Sequence, residues 1–474
     1  MVFSSLIFLY AFLPLSMLFY CMCRTQRARN AVLLIASLLF YAWGEPKYVF
    51  LLIGMSLCDW LAALLVEKKQ GKGEKGKVVL ISAVTINLFL IGFFKYSSMF
   101  CSIFGDVPEL IKNIALPIGI SFYTFQLITY VADVYRGDAK AEHNPLRVLL
   151  YAALFHQCIA GPIVRYTDIA DELYDKRNDF VELPEGIRRF TVGLAKKVIL
   201  ANAMGAIADV LLVPDSTSLL QLSMLGAWLG AIAYTLQIYL DFSAYSDMAI
   251  GLGLMIGFHY PENFNYPYIS RSITEFWRRW HISLSTFFRD YVYIPLGGNR
   301  KGKNRTYLNL FIVWALTGLW HGAAWNFVAW GIYYFLLLCI ERIGIKKLLE
   351  KLPVLSNIYV MLLVTIGWIF FKFTNFSMPI IVLQRMFGAA EQIEDFVSIT
   401  LLKNNIIVLA AAMIVCTPGI AFFSGKLAKL SEKRPGMSAV HSIIRYAVVP
   451  CVLMLVSTAC LVGDTYNPFI YFQF

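Results

Sequence analysis

Long apolar runs, separated by short polar segments, extend along the whole chain. Many of them reach roughly 20 residues, the length at which a helix crosses a bilayer. Runs of that length cover residues 2–22, 47–66, 78–96, 114–132, 190–213, 219–240, 355–373, 403–423 and 441–463. Both faces of each run are apolar, without the alternation of a lipid-facing strand. The pattern therefore predicts membrane-spanning helices and not a β-barrel.

Two further regions predict pairs of helices joined by tight connections. A shorter apolar run at residues 31–43 is followed by a Gly-Glu-Pro turn at residues 44–46 and then by another apolar run, which is typical of a helical hairpin. Residues 306–340 are long enough for two passes, and the sequence at residues 321–326 interrupts them. Both regions add helices to the membrane-spanning set.

Two apolar runs do not fit the spanning pattern. Residues 148–163 and 242–258 are too short or too rich in Gly and Pro for ordinary spans, and we expect re-entrant segments buried in protein. Taken together, the pattern predicts an all-α polytopic membrane protein with about 11 transmembrane helices. We expect a single membrane-embedded domain over residues 1–474.

The composition narrows the class of protein further. Hydrophobic residues make up 59% of the 474 positions and charged residues 15%, whereas soluble domains have about 45–50% and about 25%. A disordered protein, a secreted disulfide scaffold and an ordinary cytosolic enzyme are therefore excluded. The nine cysteines are scattered, mostly inside apolar segments, and predict neither a disulfide framework nor a metal site.

The basic residues are concentrated in a few segments, and this concentration predicts the topology. The net charge is +11, from 41 Lys and Arg against 30 Asp and Glu. Thirty-five of the 41 basic residues lie in the segments 24–29, 67–77, 136–147, 165–197, 271–305, 342–351 and 426–445. Basic loops stay in the cytoplasm, so we expect both termini outside, provided that 148–163 and 242–258 do not fully cross. The positive charge is expected to face anionic lipid, with no nucleic-acid partner.

Residues 259–305 form the longest stretch without a predicted span, and they carry an apolar stripe at helical spacing. The stripe, flanked by basic residues Arg278, Arg279 and Arg289, consists of Ile273, Phe276, Trp277, Trp280, Leu284, Phe287, Phe288 and Tyr291. This pattern predicts an amphipathic helix at the membrane surface, with its tryptophans at headgroup level. Such a helix either takes part in the chemistry or only anchors the chain to lipid.

A histidine inside an apolar helix is the strongest chemical feature. His321 lies within the apolar segment Leu308–Trp330 and is followed by a glycine and two alanines. An ionisable residue at membrane depth is costly and is a functional candidate by default. Histidine is also the usual general base near neutral pH. The alternative is a neutral imidazole that is hydrogen-bonded to a neighbouring helix.

Two other polar residues are weaker candidates. His281 lies on the amphipathic stripe beside Trp280, facing either a buried cavity or the headgroups. Asp241 lies in the apolar segment Tyr239–Asp247. A carboxylate there either orients a histidine, lines a polar path, or marks a helix end at the interface.

Several long segments carry a resemblance to a known family. They are RNAVLLIASLLFYAWGEPKYV from Arg29, LPIGISFYTFQ from Leu116, AGPIVRY from Ala160, YTLQIYLDFSAYSDMAIGLG from Tyr234, PENFNYPYISRSITEFWRRWHISLSTFFRDYVYIPLGGNR from Pro261 and TGLWHGAAWNFV from Thr317. In these segments the chain resembles the membrane-bound O-acyltransferase (MBOAT) family. The similar members are bacterial membrane subunits of alginate O-acetylation and teichoic-acid D-alanylation, and the alginate type is the more similar. The resemblance covers much of residues 1–342.

The resemblance implies a fold and a reaction. The implied fold is a ring of helices around a thinned centre, with funnels from both faces. His321 corresponds to the family's most characteristic catalytic histidine, and His281 to its second signature position. His321 is then expected to take the proton from a hydroxyl that attacks a cytoplasmic thioester, either acetyl-CoA or another acyl thioester. No bound cofactor and no metal are expected.

The resemblance also suggests which residues bind substrate. The expected set is Trp277, Arg278, Arg279, Trp280, Arg289, Trp320 and Asp241. Within it, the arginines either hold the phosphates of the donor or serve only as topology signals.

The C-terminal tail, residues 464–474, supplies a second hypothesis. The spacing of Phe469, Tyr471 and Phe474 resembles the Phe-x-Tyr-x-x-Phe tail of the small partner protein in teichoic-acid D-alanylation. The resemblance implies that Tyr471 accepts the acyl group with help from His321 and passes it to an extracellular transferase. The alternative is an aromatic anchor at the membrane interface.

These observations predict a membrane O-acyltransferase of the bacterial cytoplasmic membrane that acetylates a cell-surface polysaccharide. The expected partners are that polysaccharide, an extracytoplasmic acyltransferase-like or esterase-like protein, an acyl carrier protein and the lipid bilayer. One alternative is D-alanyl transfer to teichoic acid from a carrier protein. Another is a polymer or lipid exporter or a scaffold, although intramembrane charges are few and no inverted repeat is visible.

Overall fold

In the computed structural model, every element of regular secondary structure among the described residues is a helix. The structure describes residues 1–112, 114–174, 177–345, 351–432, 435–463 and 466–468. Among these residues, six helices are long and apolar enough to cross a membrane: Val49–Gln70, Lys77–Phe104, Trp325–Ile345, Pro353–Lys372, Phe396–Val415 and Gly436–Gly463. The predicted all-α, multi-pass membrane fold is confirmed, whereas the number of about 11 spans stays a prediction.

The chain divides into two compact units. The first unit comprises Met1–Phe190 and Tyr245–Glu262, and the second comprises Thr191–Ala244 and Asn263–Phe474. From the N-terminus to residue 195, the described helices are α1 (Leu13–Met22), α2 (Gln26–Gly44), α3 (Val49–Gln70), α4 (Lys77–Phe104), α5 (Glu109–Lys112), α6 (Ile120–Arg136), α7 (Pro145–Ala153), α8 (Tyr166–Leu173) and α9 (Leu183–Ala195).

The remaining helices carry the candidate chemistry. They are α10 (Asn202–Leu211), α11 (Ser216–Leu220), α12 (Met224–Met255), α13 (Ile273–Arg279), α14 (Ile282–Phe288), α15 (Lys303–His321), α16 (Trp325–Ile340), α17 (Pro353–Lys372), α18 (Ser377–Gln384), α19 (Phe396–Val415), α20 (Gly419–Ser431), α21 (Pro435–Ile443) and α22 (Val449–Gly463). Short π-helical turns occur at Phe8–Phe12, Lys196–Ala201, Arg289–Tyr293, Glu341–Ile345, Arg385–Ala389 and Ile444–Val448.

Helix α6 forms the centre of the first unit. Every residue from Ile120 to Val134 is buried, and α3, α4 and α7 pack against this helix. A helix that is enclosed on all sides belongs to the core of a large protein. Helix α7 ends at Ala153, so the run 148–163 is helical only in its first part. This short helix agrees with the expectation that the run is not an ordinary span.

Helix α12 corrects one sequence prediction. The runs 219–240 and 242–258 were expected to be a span and a separate re-entrant segment, but one helix of 32 residues covers most of both. The polar residues at the supposed break have partners that keep them helical. Ser243 donates a hydrogen bond to the Leu240 carbonyl at 3.4 Å, and Asp241 forms an ion pair. Polar side chains satisfied within protein do not interrupt a helix.

A second correction concerns the basic segment 165–197. Lys197 was counted there as a cytoplasmic loop charge. In the structure it lies in the π-helical turn Lys196–Ala201, and its side chain is 3% exposed. Its ammonium group pairs with the Asp241 carboxylate at 2.9 Å. Because its charge is buried and paired, Lys197 is a core residue and not a loop residue.

The third correction concerns the amphipathic stripe. A single helix was expected from Ile273 to Tyr291, but α13 ends at Arg279 and α14 begins at Ile282. At the break, His281 has φ of 44° and ψ of 56°, which is left-handed backbone. The neighbouring segment satisfies the interrupted backbone, because Ile282 N–H donates to the Asn263 carbonyl at 2.9 Å.

The tryptophans of this stripe lie in the protein core and not on an exposed surface. Trp277 and Trp280 are 8% and 2% exposed. Trp277 packs with its ring centroid 4.8 Å from that of Trp314, and Trp280 lies 4.8 Å from Trp368. Aromatic pairs at this distance contribute beyond their buried area, so the stripe packs against other helices of the second unit.

The helical hairpin α15–α16 confirms the predicted pair of helices with a break around residues 321–326; that both cross the membrane stays a prediction. Two glycines allow its helices to approach closely. A Cβ atom added to Gly331 would lie 2.4 Å from the Trp314 carbonyl oxygen, and one added to Gly318 would lie 2.4 Å from that of Phe327. Small residues at such crossings bring helix backbones into direct contact. The hairpin therefore holds the end of α15 at a fixed place.

Candidate functional site

His321 is the last residue of α15, where the helix ends before an extended glycine. Its side chain is 8% exposed. The imidazole lies edge-on to three aromatic rings, with centroids 5.0 Å from Trp320, 5.0 Å from Trp330 and 5.3 Å from Phe371. Edge-to-face packing on several sides restricts the ring to one orientation.

His281 occupies the break between α13 and α14 and is 1% exposed. Its Nδ1 lies 3.1 Å from Oδ1 of Asn263, and the Ser283 hydroxyl donates to the same oxygen at 2.8 Å. Because that oxygen is an acceptor, Nδ1 of His281 carries the proton and Nε2 keeps its lone pair. Within the described part of the chain, Nε2 is buried and has no hydrogen-bond partner.

Trp320 connects the two histidines. Its ring centroid lies 5.7 Å from that of His281 and 5.0 Å from that of His321. Trp320 itself is 3% exposed. The structure therefore brings together His281, Trp320 and His321, which the sequence resemblance selected from positions forty residues apart.

A cavity of about 280 Å³ opens beside His281. Its walls are aromatic and aliphatic, with Trp277, Leu284 and Trp314 among them. Its lining also includes the arginines Arg278, Arg289 and Arg342, all of which are exposed. A cavity with apolar walls, a few directed polar groups and a basic edge is typical of a site for a small anionic ligand.

Of the seven predicted binding residues, Trp320 and Asp241 do not line this cavity, and neither do Arg279 and Trp280. The Arg279 guanidinium instead pairs with Glu275 at 2.9 Å and donates to the Asn265 carbonyl at 3.1 Å. Trp280 packs into the core against Trp368. Both residues support the local structure around the cavity.

Asp241 is 1% exposed and forms its ion pair with Lys197. This contact differs from the predicted role of orienting a histidine, because the carboxylate is already committed to an ammonium group. Tyr471, the predicted acyl acceptor in the C-terminal tail, lies outside the residues that the structure describes.

The ends of α13 are fixed by caps that hold the cavity wall. At its start, the Ser272 hydroxyl accepts from Glu275 N–H at 3.0 Å, and Glu275 accepts from Arg271 N–H at 2.9 Å. Ser272 is therefore the N-cap of the helix, and Glu275 holds the backbone of the residue before it. The buried Glu341 carboxylate also accepts from Thr274 N–H at 3.0 Å, and negative charge at a helix N-terminus is stabilising.

Sequence reasoning missed Asn263, Arg342 and Lys197. Asn263 and Arg342 had no signal of their own, because each lies far along the chain from the residue or cavity it serves. Lys197 did have one, since it falls within the apolar run 190–213, and a lysine at such a position is a functional candidate. Among the residues that the structure covers, no group of three or more His, Cys, Asp or Glu side chains is arranged to hold a metal ion.

Comparison with known proteins places this site in a family. The model of the MBOAT, membrane-bound O-acyltransferase family, matches residues 138–383, which include both histidines and the cavity. A protein of Pseudomonas putida named probable alginate O-acetylase AlgI is 39% identical over 497 aligned residues, covering 100% of both chains.

Two other relatives have related names. The peptidoglycan O-acetyltransferase of Helicobacter pylori is 33% identical and covers 82% of this chain and 80% of its own. The teichoic acid D-alanyltransferase of Bacillus subtilis is 32% identical over 48% of this chain and 59% of its own. Since the family model matches more than half of the chain and full-length relatives exceed 30% identity, the chain is an O-acyltransferase and belongs to the membrane-bound O-acyltransferase family.

Proposed function

We propose that this multi-pass membrane protein transfers an acetyl group from a cytoplasmic thioester to O-acetylate a cell-surface polysaccharide, with His321 as the general base. The observation that carries the proposal is the aromatic enclosure of His321, in which Trp320 also contacts His281. The names of the alginate and peptidoglycan relatives support an acetyl group and a polysaccharide acceptor.

The proposed step is acyl transfer with balanced proton movement. A hydroxyl oxygen attacks the thioester carbonyl carbon while His321 takes the hydroxyl proton. The new C–O bond forms, the C–S bond breaks, and the imidazolium returns the proton to the departing sulfur. An ester and a free thiol result. Fixed orientation of the imidazole lowers the entropic cost of reaching this geometry.

His281 is the second catalytic residue in this proposal. Asn263 and the imidazole Nδ1 set its tautomer, so that Nε2 is available as an acceptor. We place the thioester-bearing arm of the donor in the 280 Å³ cavity, where this nitrogen accepts a hydrogen bond from an amide N–H of that arm. The donor is acetyl-CoA or another acyl thioester, including one carried by an acyl carrier protein.

The phosphates of the donor bind the basic edge of the cavity in this proposal. Arg278, Arg289 and Arg342 line it, and arginine binds phosphate in a bidentate manner. Arg279 is not included, because it does not line the cavity, whereas Arg289 lines the cavity and also pairs with Asp290 at 2.7 Å. This arrangement requires the basic edge to face the cytoplasm, which agrees with the basic segment 271–305 and with both termini outside a bacterial cytoplasmic membrane.

The decisive test is the variant His321→Ala. Surface-polymer O-acetyl content should fall to the level of cells without the protein, while the variant reaches the membrane in normal amount. His143→Ala is the matched control, because that side chain is 77% exposed. Retained acetylation in His321→Ala would exclude the general-base role.

The same samples separate the alternative functions. Mass spectrometry of the polymer identifies the transferred group, and a D-alanyl ester in place of acetyl would favour the teichoic-acid activity. That alternative has support from the D-alanyltransferase match over 48% of the chain. Loss of the polymer itself from the surface would favour an exporter or a scaffold.

We also propose that Tyr471 accepts the acetyl group first and passes it to an extracytoplasmic acyltransferase-like or esterase-like partner. Its phenol oxygen becomes the nucleophile once a base removes the proton. Tyr471→Phe, which removes only the hydroxyl, should abolish polymer acetylation, and Tyr446→Phe is the control because that ring is exposed. Wild-type acetyl content in Tyr471→Phe would make the tail an interface anchor.

A further inference from the structure

A buried ammonium group joins two helices of the second unit. Lys197 and Asp241 are 3% and 1% exposed, with Nζ 2.9 Å from the carboxylate. Nζ also donates to Oδ1 of Asn202 at 2.9 Å and to the backbone carbonyl of Pro468. Of these three oxygen acceptors, those of Asn202 and Pro468 form hydrogen bonds with the ammonium group, and the Asp241 carboxylate balances its charge.

The third acceptor comes from the C-terminal segment. Burying a charge is favourable only when its remaining donors are satisfied by hydrogen bonds. Here the Pro468 carbonyl accepts the hydrogen bond that water would otherwise accept from the ammonium group. The buried pair is therefore complete only when residue 468 is in place.

Two neighbouring residues of the segment are held by the same helix. The Asn202 amide donates to the Tyr466 carbonyl at 3.1 Å and lies 3.3 Å from Oδ1 of Asn467. The Tyr466 hydroxyl donates to the Asp209 carboxylate. A Cβ atom on Gly205 would lie 2.8 Å from that hydroxyl, so the glycine leaves room for the ring.

The contacts occupy one helical face. Asn202, Gly205 and Asp209 recur at intervals of three and four residues, the spacing of one side of an α-helix. Residues 466–468 thus lie along this face. Asn202 donates a hydrogen bond to the segment, Asp209 accepts one from it, and Gly205 leaves space for its tyrosine ring. Mere proximity of a chain end would not match backbone and side-chain groups in this way.

We infer that Lys197, held by Asp241, and Asn202 form a docking site within this chain for its own C-terminal segment, and that they are positioning residues for Tyr471. Tyr471 is three positions after Pro468, and three residues of extended chain span at most about 11 Å. Docking therefore confines the acceptor tyrosine without help from a partner protein. The catalytic consequence rests on the proposed relay through Tyr471, whereas the docking does not.

The test measures docking separately from transfer. The full-length protein in detergent is digested with a carboxypeptidase, and the intact mass is followed with time. In the wild type, trimming should stop near Pro468, because the docked segment is protected. In Lys197→Met and in Asn202→Ala, trimming should pass Pro468 about tenfold faster. Asn202→Ala retains the buried ion pair, so it remains informative if Lys197→Met does not fold.

The control is Lys196→Met, which removes the adjacent lysine, whose ammonium group lies 3.1 Å from the Ser243 hydroxyl. It should be trimmed as slowly as the wild type. Equal trimming of all four proteins, at unchanged melting temperature, would overturn the docking site. If trimming accelerates in the two docking variants and Tyr471→Phe still acetylates polymer, docking stands and the relay does not.

For the relay itself, the same variants should lower kcat for polymer acetylation with an unchanged KM for the donor thioester. A purely structural defect would instead lower the melting temperature and the amount of protein in the membrane. Wild-type kcat in a variant whose tail is trimmed rapidly would remove the positioning role of Lys197 and Asn202.

Discussion

Nδ1 of His281 lies 3.1 Å from Oδ1 of Asn263, a residue eighteen positions earlier in the chain. This hydrogen bond sets the tautomer of the imidazole and leaves Nε2 as the acceptor. In the proposed mechanism, Asn263 therefore acts through His281 and has no need to touch a substrate.

The first prediction concerns this contact. Asn263→Ala should lower kcat by about three- to tenfold, the equivalent of one hydrogen bond worth ~1 kcal/mol. KM for the donor should change little. Asn263→Asp keeps an acceptor oxygen at the same place, so it should retain more activity and shift the pH–rate profile upward, because a carboxylate favours the imidazolium.

The control for this pair is Asn405→Ala, since that amide donates only to the Leu401 carbonyl within its own helix. A loss of activity in Asn263→Ala that comes with an equal loss of protein in the membrane would indicate a folding role instead. Identical pH–rate profiles for the Asp variant and the wild type would count against control of the tautomer.

The second prediction concerns the basic edge of the cavity. Arg278→Glu and Arg342→Glu should each raise the KM for an acyl-CoA donor by about tenfold, because a charge-assisted hydrogen bond contributes about 1.5–3 kcal/mol and is replaced by repulsion. Arg271→Glu is the control, since Arg271 is exposed on the same segment but does not line the cavity. Equal KM values in all three variants would leave these arginines as topology signals.

The third prediction tests the close contact of α15 and α16. Gly331→Ala should destabilise the protein by about 1–3 kcal/mol, the usual cost of overpacking. The added methyl would meet a backbone carbonyl that cannot move aside. Gly92→Ala is the matched control, because a Cβ there has no neighbour within 4 Å. Thermal unfolding in the same detergent measures both, and equal melting temperatures would contradict the contact.

The fourth prediction concerns His259, which lies in a loop of the first unit. Partial burial lowers the pKa of its imidazole, but hydrogen bonds and attraction from Glu172 and Glu182 outweigh this effect and raise the pKa above its usual value. A raised folded-state pKa gives stability that is fully present below about pH 6.5, the unfolded value. That stability is lost as the pH rises through the folded-state pKa.

The measurement compares wild type with His259→Gln from pH 5.5 to 9. The wild type should have the higher melting temperature at the acid end, and the difference should shrink at the alkaline end. Glu182→Gln removes one of the two carboxylates and should show a weaker pH dependence than the wild type. A difference between wild type and His259→Gln that stays constant with pH would contradict this account.

The sequence was sufficient for the elements whose signal is local. The apolar run around His321 predicted two helices and the position of their break, because hydropathy and the loss of it are both visible within thirty residues. The concentration of aromatic residues also identified the segment that lines the cavity. Those features depend on neighbours along the chain.

Features that depend on distant partners were not predictable in the same way. The stripe from Ile273 to Tyr291 is helical in period on both sides of His281, and nothing in the sequence marks a left-handed residue there. For Asp241 the sequence left several roles open and did not predict its pairing with Lys197, which had been counted with a loop. Tertiary pairing decided the structure at both places.

The left-handed backbone of His281 gives this residue a conformational cost that is separate from the chemistry of its imidazole ring. A side chain other than glycine in that region costs about 1–3 kcal/mol, which the surrounding contacts must supply. Glycine at this position would remove both the imidazole and the conformational cost, whereas alanine would remove only the imidazole. The stability difference between His281→Gly and His281→Ala would therefore measure the backbone cost less the greater entropy that glycine loses on folding, and the loss of activity that the proposal predicts for both would measure the ring.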